Sequence, residues 1–222
     1  MKSVLYMPDG NRRFARKTNT SLLDSYRLGA KTLKLFSDFF IDEQRTNLLV
    51  YHAMSKYTHL RTDESLDAIY KVLIEEFERL DAEKFFSKKR ISFETIDHSG
   101  KLPRELIEIT SRLSENSRNS ERGRVCVLLG YDYESDIDQA LSKKPRNYKE
   151  FREGLLFPDI DLVIRTTEMR ASGGPAYAMS QSQMMLLDKL NPEVTKADLE
   201  KIMRDYEKLK GYRIESNPIH HN

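Results

Sequence analysis

Ser3-Val-Leu-Tyr-Met-Pro-Asp-Gly-Asn-Arg-Arg-Phe-Ala-Arg-Lys17 is the stretch on which the reading of the chain turns. Ser3 to Met7 is an apolar run of strand length. Pro8, which has no N–H for a ladder, ends it. Asp9-Gly10-Asn11 reads as a tight turn, with Gly10 free to take a backbone angle closed to other residues. Arg12 to Lys17 then supplies four cations in six positions, with Phe14 and Ala15 available for an apolar face. A strand, a glycine turn and a basic helix start make an anion site, because first-turn N–H groups point outward at the positive end of the helix dipole. Asp9 is the odd member. A carboxylate there repels phosphate unless a divalent cation stands between them, and Mg²⁺ commonly bridges carboxylates to substrate phosphates. The plainer alternative is a βα turn in which Asp9 caps the helix and the arginines face solvent.

A chain of 222 residues buries one sizeable core, so residues 1–222 read as a single domain. Net charge is only +2, which excludes a nucleic-acid polycation and confines any basic footprint to a local patch. Cys126 is the only cysteine, so there is no internal disulfide and no cysteine-rich zinc site. It lies in Arg124-Val-Cys-Val-Leu-Leu129 and reads as an inert thiol in a buried strand. No segment reaches the roughly 18–20 apolar residues of a membrane span, and no secretory h-region opens the chain. A cytoplasmic protein is expected.

Strands alternate with helices along the chain. Leu22 to Phe40 has a helical pattern, and Leu48 to Tyr51 is a second strand. Thr62-Asp-Glu-Ser65 looks like a capped helix start leading into Leu66, Ile69, Leu73, Phe77 and Leu80 at helical spacing. Ile91 to Ile96 reads as a strand, Leu102 to Leu113 as a helix, Val125 to Leu129 as a strand and Asp136 to Leu141 as a short helix. Lys143 to Arg146 is a polar connector, and Asp161 to Arg165 is the last clear strand. Thr195-Lys-Ala-Asp198 resembles a capping box opening a helix to about Leu209. The expected fold is therefore α/β, a mainly parallel central sheet flanked by helices. Ligands of such sheets bind beyond the carboxyl ends of the strands, which puts Pro8–Arg13, His52–Arg61 and Arg165–Ser172 on one rim. The third of these loops offers Arg165, Arg170, Ser172 and neighbouring hydroxyls beside Gly173-Gly174. Guanidinium grips phosphate in a bidentate way, so two cationic loops suggest two diphosphate sites, one assisted by a metal.

These residues carry a resemblance. Asp9-Gly-Asn-Arg-Arg-Phe-Ala15 resembles the opening motif of the cis-prenyltransferases, the family of undecaprenyl diphosphate synthase. Asp161-Leu-Val-Ile-Arg-Thr166, with Glu168, Arg170 and Ser172, is similar to the family's second motif. The resemblance implies the family fold with an apolar pocket, Asp9 positioning Mg²⁺, and Gly10, Asn11, Arg12 and Arg13 cradling the allylic diphosphate. It implies catalytic roles for Asp9, Asn11 and Arg13. It places Arg165, Arg170 and Ser172 on the second diphosphate, and Arg61 resembles a further phosphate-side arginine. It also implies a homodimer paired through C-terminal regions.

The departures from the pattern are specific. Tyr26 stands where chain-elongating members carry histidine, and Leu22 where they carry arginine. Their Arg-Thr-Gly-Gly-Glu becomes Arg165-Thr-Thr-Glu168. The glutamate that helps hold Mg²⁺ across the dimer falls on Gln183 or Met184, and Met54-Ser-Lys-Tyr-Thr58 replaces a serine-rich stretch. Met-Pro-Asp-Gly with Arg-Arg, and Ser21 to Tyr26, are more similar to members of the cyclolavandulyl diphosphate synthase type. The implied activity is Mg-dependent condensation of dimethylallyl and isopentenyl diphosphates, or of geranyl or farnesyl diphosphate, into a short, irregular or cyclised isoprenoid diphosphate. The alternatives are a terpene cyclase acting on one prenyl diphosphate and a non-catalytic partner subunit. An allyl cation needs an apolar, water-poor pocket. Tyr26, Phe36, Phe40 and Met54 are the candidate lining, with plain core packing as the competing role. Tyr26, His52, Ser172 or the second diphosphate itself could take the final proton.

Overall fold

The computed structural model describes residues 1–61, 64–157 and 159–216, with side chains to residue 209. The cap expected of Thr62 and Asp63 lies outside the described residues. In chain order the elements are β1 (Ser3–Met7), α1 (Asn11–Thr18), α2 (Leu22–Phe36), β2 (Leu48–Ser55), α3 (Ser65–Ala82), α4 (Phe85–Lys89), β3 (Ile91–Ile96) and α5 (Arg104–Ser117). There follow β4 (Gly123–Tyr131), α6 (Tyr133–Ser142), α7 (Tyr148–Gly154), β5 (Leu162–Thr166), α8 (Ala176–Met179), β6 (Gln183–Leu187) and α9 (Lys196–Ser216).

Among the described residues six strands form one sheet in the order β3-β4-β2-β1-β5-β6, with every pairing parallel. Parallel strands covered on both faces need apolar residues on both, which is why Ser3–Met7 reads as a continuous run rather than an alternation. Val4, Tyr6, Tyr51, Val127 and Leu129 face one core with Phe36, Phe77 and Leu199. Leu5, Met7, Val50, Cys126 and Leu128 face the other with Phe157, Ile160 and Met179. Cys126 is fully buried and its thiol pKa is pushed up by that burial, as an inert core thiol requires.

Two expectations need correction. β6 follows the strand expected to be last, adding Gln183–Leu187 at the edge beyond β5. The helix expected to run to Phe40 stays α only to Phe36 and continues as a π-helical segment, Ser37–Glu43. The wider π turn rotates the following side chains relative to an α-helix, and Phe39, Phe40 and Ile41 all enter the core. The polar connector at Lys143–Arg146 is irregular as expected, and α7 follows it, capped by Asn147, whose side chain accepts the Glu150 N–H.

Candidate active site

The βα turn forms at the carboxyl end of β1. Gly10 holds φ +100°, a conformation that favours glycine, and a Cβ there would stand 2.8 Å from Leu190 Cδ2. Gly10 is the N-cap of α1 and contributes no side-chain cap. Asp9 does not cap the helix, contrary to the plainer alternative. Its Oδ1 accepts the Gly10 N–H at 2.6 Å, and its Oδ2 lies 3.1 Å from Arg13 Nη2, 3.2 Å from Arg165 Nη2 and 3.2 Å from Thr167 Oγ1. One carboxylate oxygen is therefore ringed by two guanidiniums and a hydroxyl.

The third loop builds the other half of that ring. Thr166 ends β5 and locks onto the turn, its hydroxyl accepting the Asp9 N–H at 2.6 Å and lying 2.9 Å from the Asp9 carbonyl. Thr167 takes φ +72°, an outlier for a β-branched residue, and its hydroxyl accepts from Arg13 Nη2 at 2.7 Å. Arg165 is 4% exposed and lies beneath Asp9. Burial pulls its pKa down, while the Asp9 charge opposes that pull. Its Nε donates to the Glu168 carbonyl at 2.7 Å. Arg170 pairs with Glu168 Oε1 at 3.0 Å and donates from Nε to Ser172 Oγ at 3.2 Å.

This corner opens into a cavity of about 450 Å³. Asp9, Gly10, Asn11, Arg12, Arg13, Arg16, Arg61, Glu168 and Arg170 line its polar end. Ala30, Leu33, Ala53, Ile69, Val72, Leu73, Phe77 and Val127 line its apolar part, with Tyr26, Tyr51 and Glu76. Of the four pocket residues expected from sequence, Tyr26 alone is in this lining. Phe36 stacks on Tyr6 at 3.7 Å between ring centroids, and Phe40 is fully buried in the same cluster. Met54 is 1% exposed and packs behind the wall against Tyr26, Ile69 and Val72. Arg165 and Ser172 lie outside the lining and contact it through Asp9 and Arg170.

His52 is not in a loop, since β2 extends to Ser55, and it too is outside the lining. Burial, with the Arg165 charge nearby, drops its pKa to about 4. His59 is structural, with ring nitrogens 2.6 Å from Tyr70 Oη and 3.0 Å from the Leu129 carbonyl. Gln183 opens β6 opposite Leu162, whereas Leu187 is level with Thr166, so Gln183 lies at the end of its strand away from Asp9 of the same chain.

Asn191 is a residue of the site that its sequence surroundings do not single out, as are the lining residues Gly29, Ala30, Leu33, Ala53 and Glu76. Asn191, 1% exposed, opens a 3₁₀ turn after β6 and lines the cavity. Its backbone N–H donates to the Asp9 carbonyl at 2.8 Å and its side chain touches Asn11, Gly29 and Tyr6.

The profile of the family described as "Putative undecaprenyl diphosphate synthase" matches residues 7–212, nearly the whole chain and both halves of this corner. The chain belongs to this prenyltransferase family. It is 27% identical over 220 residues to the tritrans,polycis-undecaprenyl-diphosphate synthase (geranylgeranyl-diphosphate specific) of Sulfurisphaera tokodaii, covering 92% of this chain and 84% of that one. It is 25% identical over 214 residues to the isoprenyl transferase of Fusobacterium nucleatum, covering 92% of each. Its fold is that of lavandulyl diphosphate synthase from Lavandula x intermedia, solved in complex with dimethylallyl diphosphate, with a TM-score of 0.82 at 21% identity over 91% of this chain and 93% of that one. The prenyltransferase is thus a transferase by family, with the parallel sheet expected from sequence. Among the described residues no helix is long and apolar enough to cross a membrane.

Proposed function

We propose that this prenyltransferase joins five-carbon isoprenyl diphosphates into a short isoprenoid diphosphate. The observation that carries the proposal is a small cavity with guanidiniums around one carboxylate at one end and apolar side chains at the other. A diphosphate would sit against the N–H groups of α1 and the guanidiniums of Arg12 and Arg13, with Asn11 beside it. Arg61 and Arg170 would take the second diphosphate, and Arg165 and Ser172 would hold Asp9 and Arg170 in place. Arg170 would exchange its Glu168 partner for phosphate. The prenyl tails would lie among Leu33, Ile69, Val72 and Leu73. The volume is in the range of small-ligand pockets, roughly 300–1,000 Å³, and its apolar part runs to Phe77 and Val127, which are fully buried. That supports a short product, although the Sulfurisphaera tokodaii relative is named for a longer one.

The allylic C–O bond would break with its electron pair leaving on inorganic diphosphate. The double bond of the second substrate would then form the new C–C bond, and one proton would be lost. Fixed cations at the leaving group stabilise charge where it develops, while the apolar wall excludes water. Of the side chains considered as proton acceptor, Tyr26 lines the cavity, whereas His52 and Ser172 do not. A divalent cation fits the donor set. Among the described residues no three His, Cys, Asp or Glu side chains cluster into a cage, and Mg²⁺ is ordinarily held by one or two carboxylates together with substrate phosphates. Asp9 would hold it, and when bound it would add positive charge at the leaving diphosphate. A homodimer is proposed as well, supported by the open edge of β6, where Met184 and Met185 are half-buried and Leu186 is exposed.

The test is incubation with Mg²⁺ and dimethylallyl, isopentenyl, geranyl or farnesyl diphosphate, followed by mass spectrometry. The proposal expects a short prenyl diphosphate and one inorganic diphosphate for each bond formed. A hydrocarbon or alcohol from a single geranyl or farnesyl diphosphate would instead favour a cyclase. No turnover of any of them, in a sample that partners another prenyltransferase, would favour a non-catalytic subunit.

A further inference from the structure

We infer that Asn191 is a positioning residue that sets which end of the Asn11 amide faces the substrate diphosphate. The inference rests on the diphosphate reading of the cavity given above. Asn191 Nδ2 lies 3.2 Å from the Gly29 carbonyl and 3.1 Å from Asn11 Oδ1. Its Oδ1 accepts from Tyr6 Oη at 2.6 Å and lies 3.1 Å from Thr32 Oγ1. A carbonyl oxygen only accepts, so the Gly29 carbonyl fixes which end of the Asn191 amide is NH₂. That NH₂ in turn fixes the acceptor end of the Asn11 amide against it. Asn11 lines the cavity, so its own NH₂ is the end left for the ligand, and an NH₂ donates to phosphate oxygens.

The device is built into the fold at several points. Tyr6 is on β1, Gly29 and Thr32 are on α2, and Asn191 follows β6, so the orientation is fixed only when the sheet closes. Asn191, Tyr6 and Thr32 are almost wholly buried, where an acceptor facing an acceptor is costly. Gly29 stands in the middle of α2, where glycine is less favourable than alanine. A Cβ there would overlap Asn11 Oδ1 and stand 2.6 Å from Asn191 Nδ2, so the glycine leaves room for the amide pair.

The test reads inorganic diphosphate binding by calorimetry on the full chain, with a thermal melt of each variant. Asn191→Asp replaces the donor with a second acceptor and reverses the preferred Asn11 orientation. It should weaken binding by about ten- to a hundredfold, the worth of a hydrogen bond to a charged group. In an Asn11→Ala background the same substitution should change binding less than twofold. A loss of equal size in both backgrounds would overturn the inference, because a merely structural role is not routed through Asn11. A second reading needs no substitution of Asn191. In ¹⁵N-labelled wild type the Asn11 side-chain NH₂ resonance, assigned by its loss in Asn11→Asp, should move on adding inorganic diphosphate while the Asn191 NH₂ stays. An unmoved Asn11 signal with diphosphate bound overturns the relay alone. Wild type that binds no diphosphate overturns the reading of the cavity and the relay with it.

Discussion

Arg165 lies under Asp9, almost completely buried, with its guanidinium 3.2 Å from the carboxylate oxygen that Arg13 reaches from above at 3.1 Å. Asp9 therefore has a structural partner as well as a proposed catalytic one, and substitutions at this position should separate the two.

Asp9→Asn keeps an oxygen acceptor for Arg165 and Arg13 but loses the charge. Product formation should fall by at least about a hundredfold, the usual cost of losing one preorganised charge-stabilising group. The melting temperature should stay within a few degrees of wild type. Asp9→Ala should lose activity to the same degree and also melt earlier, because buried Arg165 then loses its hydrogen-bond acceptor as well as the counter-charge. Steady-state assays and calorimetric melts check both outcomes.

Gly10→Ala should destabilise the fold by about 1–2 kcal/mol from the backbone angle alone, and the new methyl also presses on Leu190 and Thr167. Denaturant unfolding measures the loss. A variant as stable as wild type would mean that the turn relaxes to another conformation.

The two ends of the cavity should be separable. Leu73→Trp fills part of the apolar end, where Leu73 is half-buried, without touching the arginines. Dimethylallyl diphosphate should bind several hundredfold more weakly if its five carbons are shut out, at about 0.8 kcal/mol per carbon. Inorganic diphosphate should bind as before. Parallel titrations with the two ligands decide the matter.

His52 predicts a pH dependence. Its pKa falls from the usual 6.5 to about 4 in the fold, so the unfolded chain takes up the proton first as pH drops. Stability is then fully present above about pH 6.5 and is lost progressively down to about pH 4, by roughly 3 kcal/mol in all at about 1.4 kcal/mol per unit. His52→Gln should flatten this part of the stability profile. Urea midpoints collected across that range for both proteins provide the comparison.

The strand, turn and helix start at Ser3–Lys17 were legible in the sequence because each depends on neighbours in the chain: an apolar run, a proline that stops it, and a glycine that turns it. Arg165 and Arg170 could be placed near the end of a strand for the same reason, whereas the burial of Arg165 against Asp9 depends on the pairing of β1 with β5. Phe36 and Phe40 were misplaced because helical spacing reveals an apolar face but not what that face meets, and the π turn after Phe36 shifts the face again. β6 escaped notice because Gln183–Leu187 is a short edge run without alternation. Asn191 could not be found from its own neighbourhood, because its partners come from β1, α1 and α2 and meet it only when β6 pairs with β5.

The most direct measurement is a crystal structure with the non-hydrolysable thiolodiphosphate analogue of dimethylallyl diphosphate and Mg²⁺. The account predicts the diphosphate against the start of α1 within reach of Arg12 and Arg13, the metal on Asp9, and the five-carbon tail pointing toward Ile69 and Leu73. Density for the analogue at any other place, with Asp9 still held by Arg13 and Arg165 alone, would contradict it.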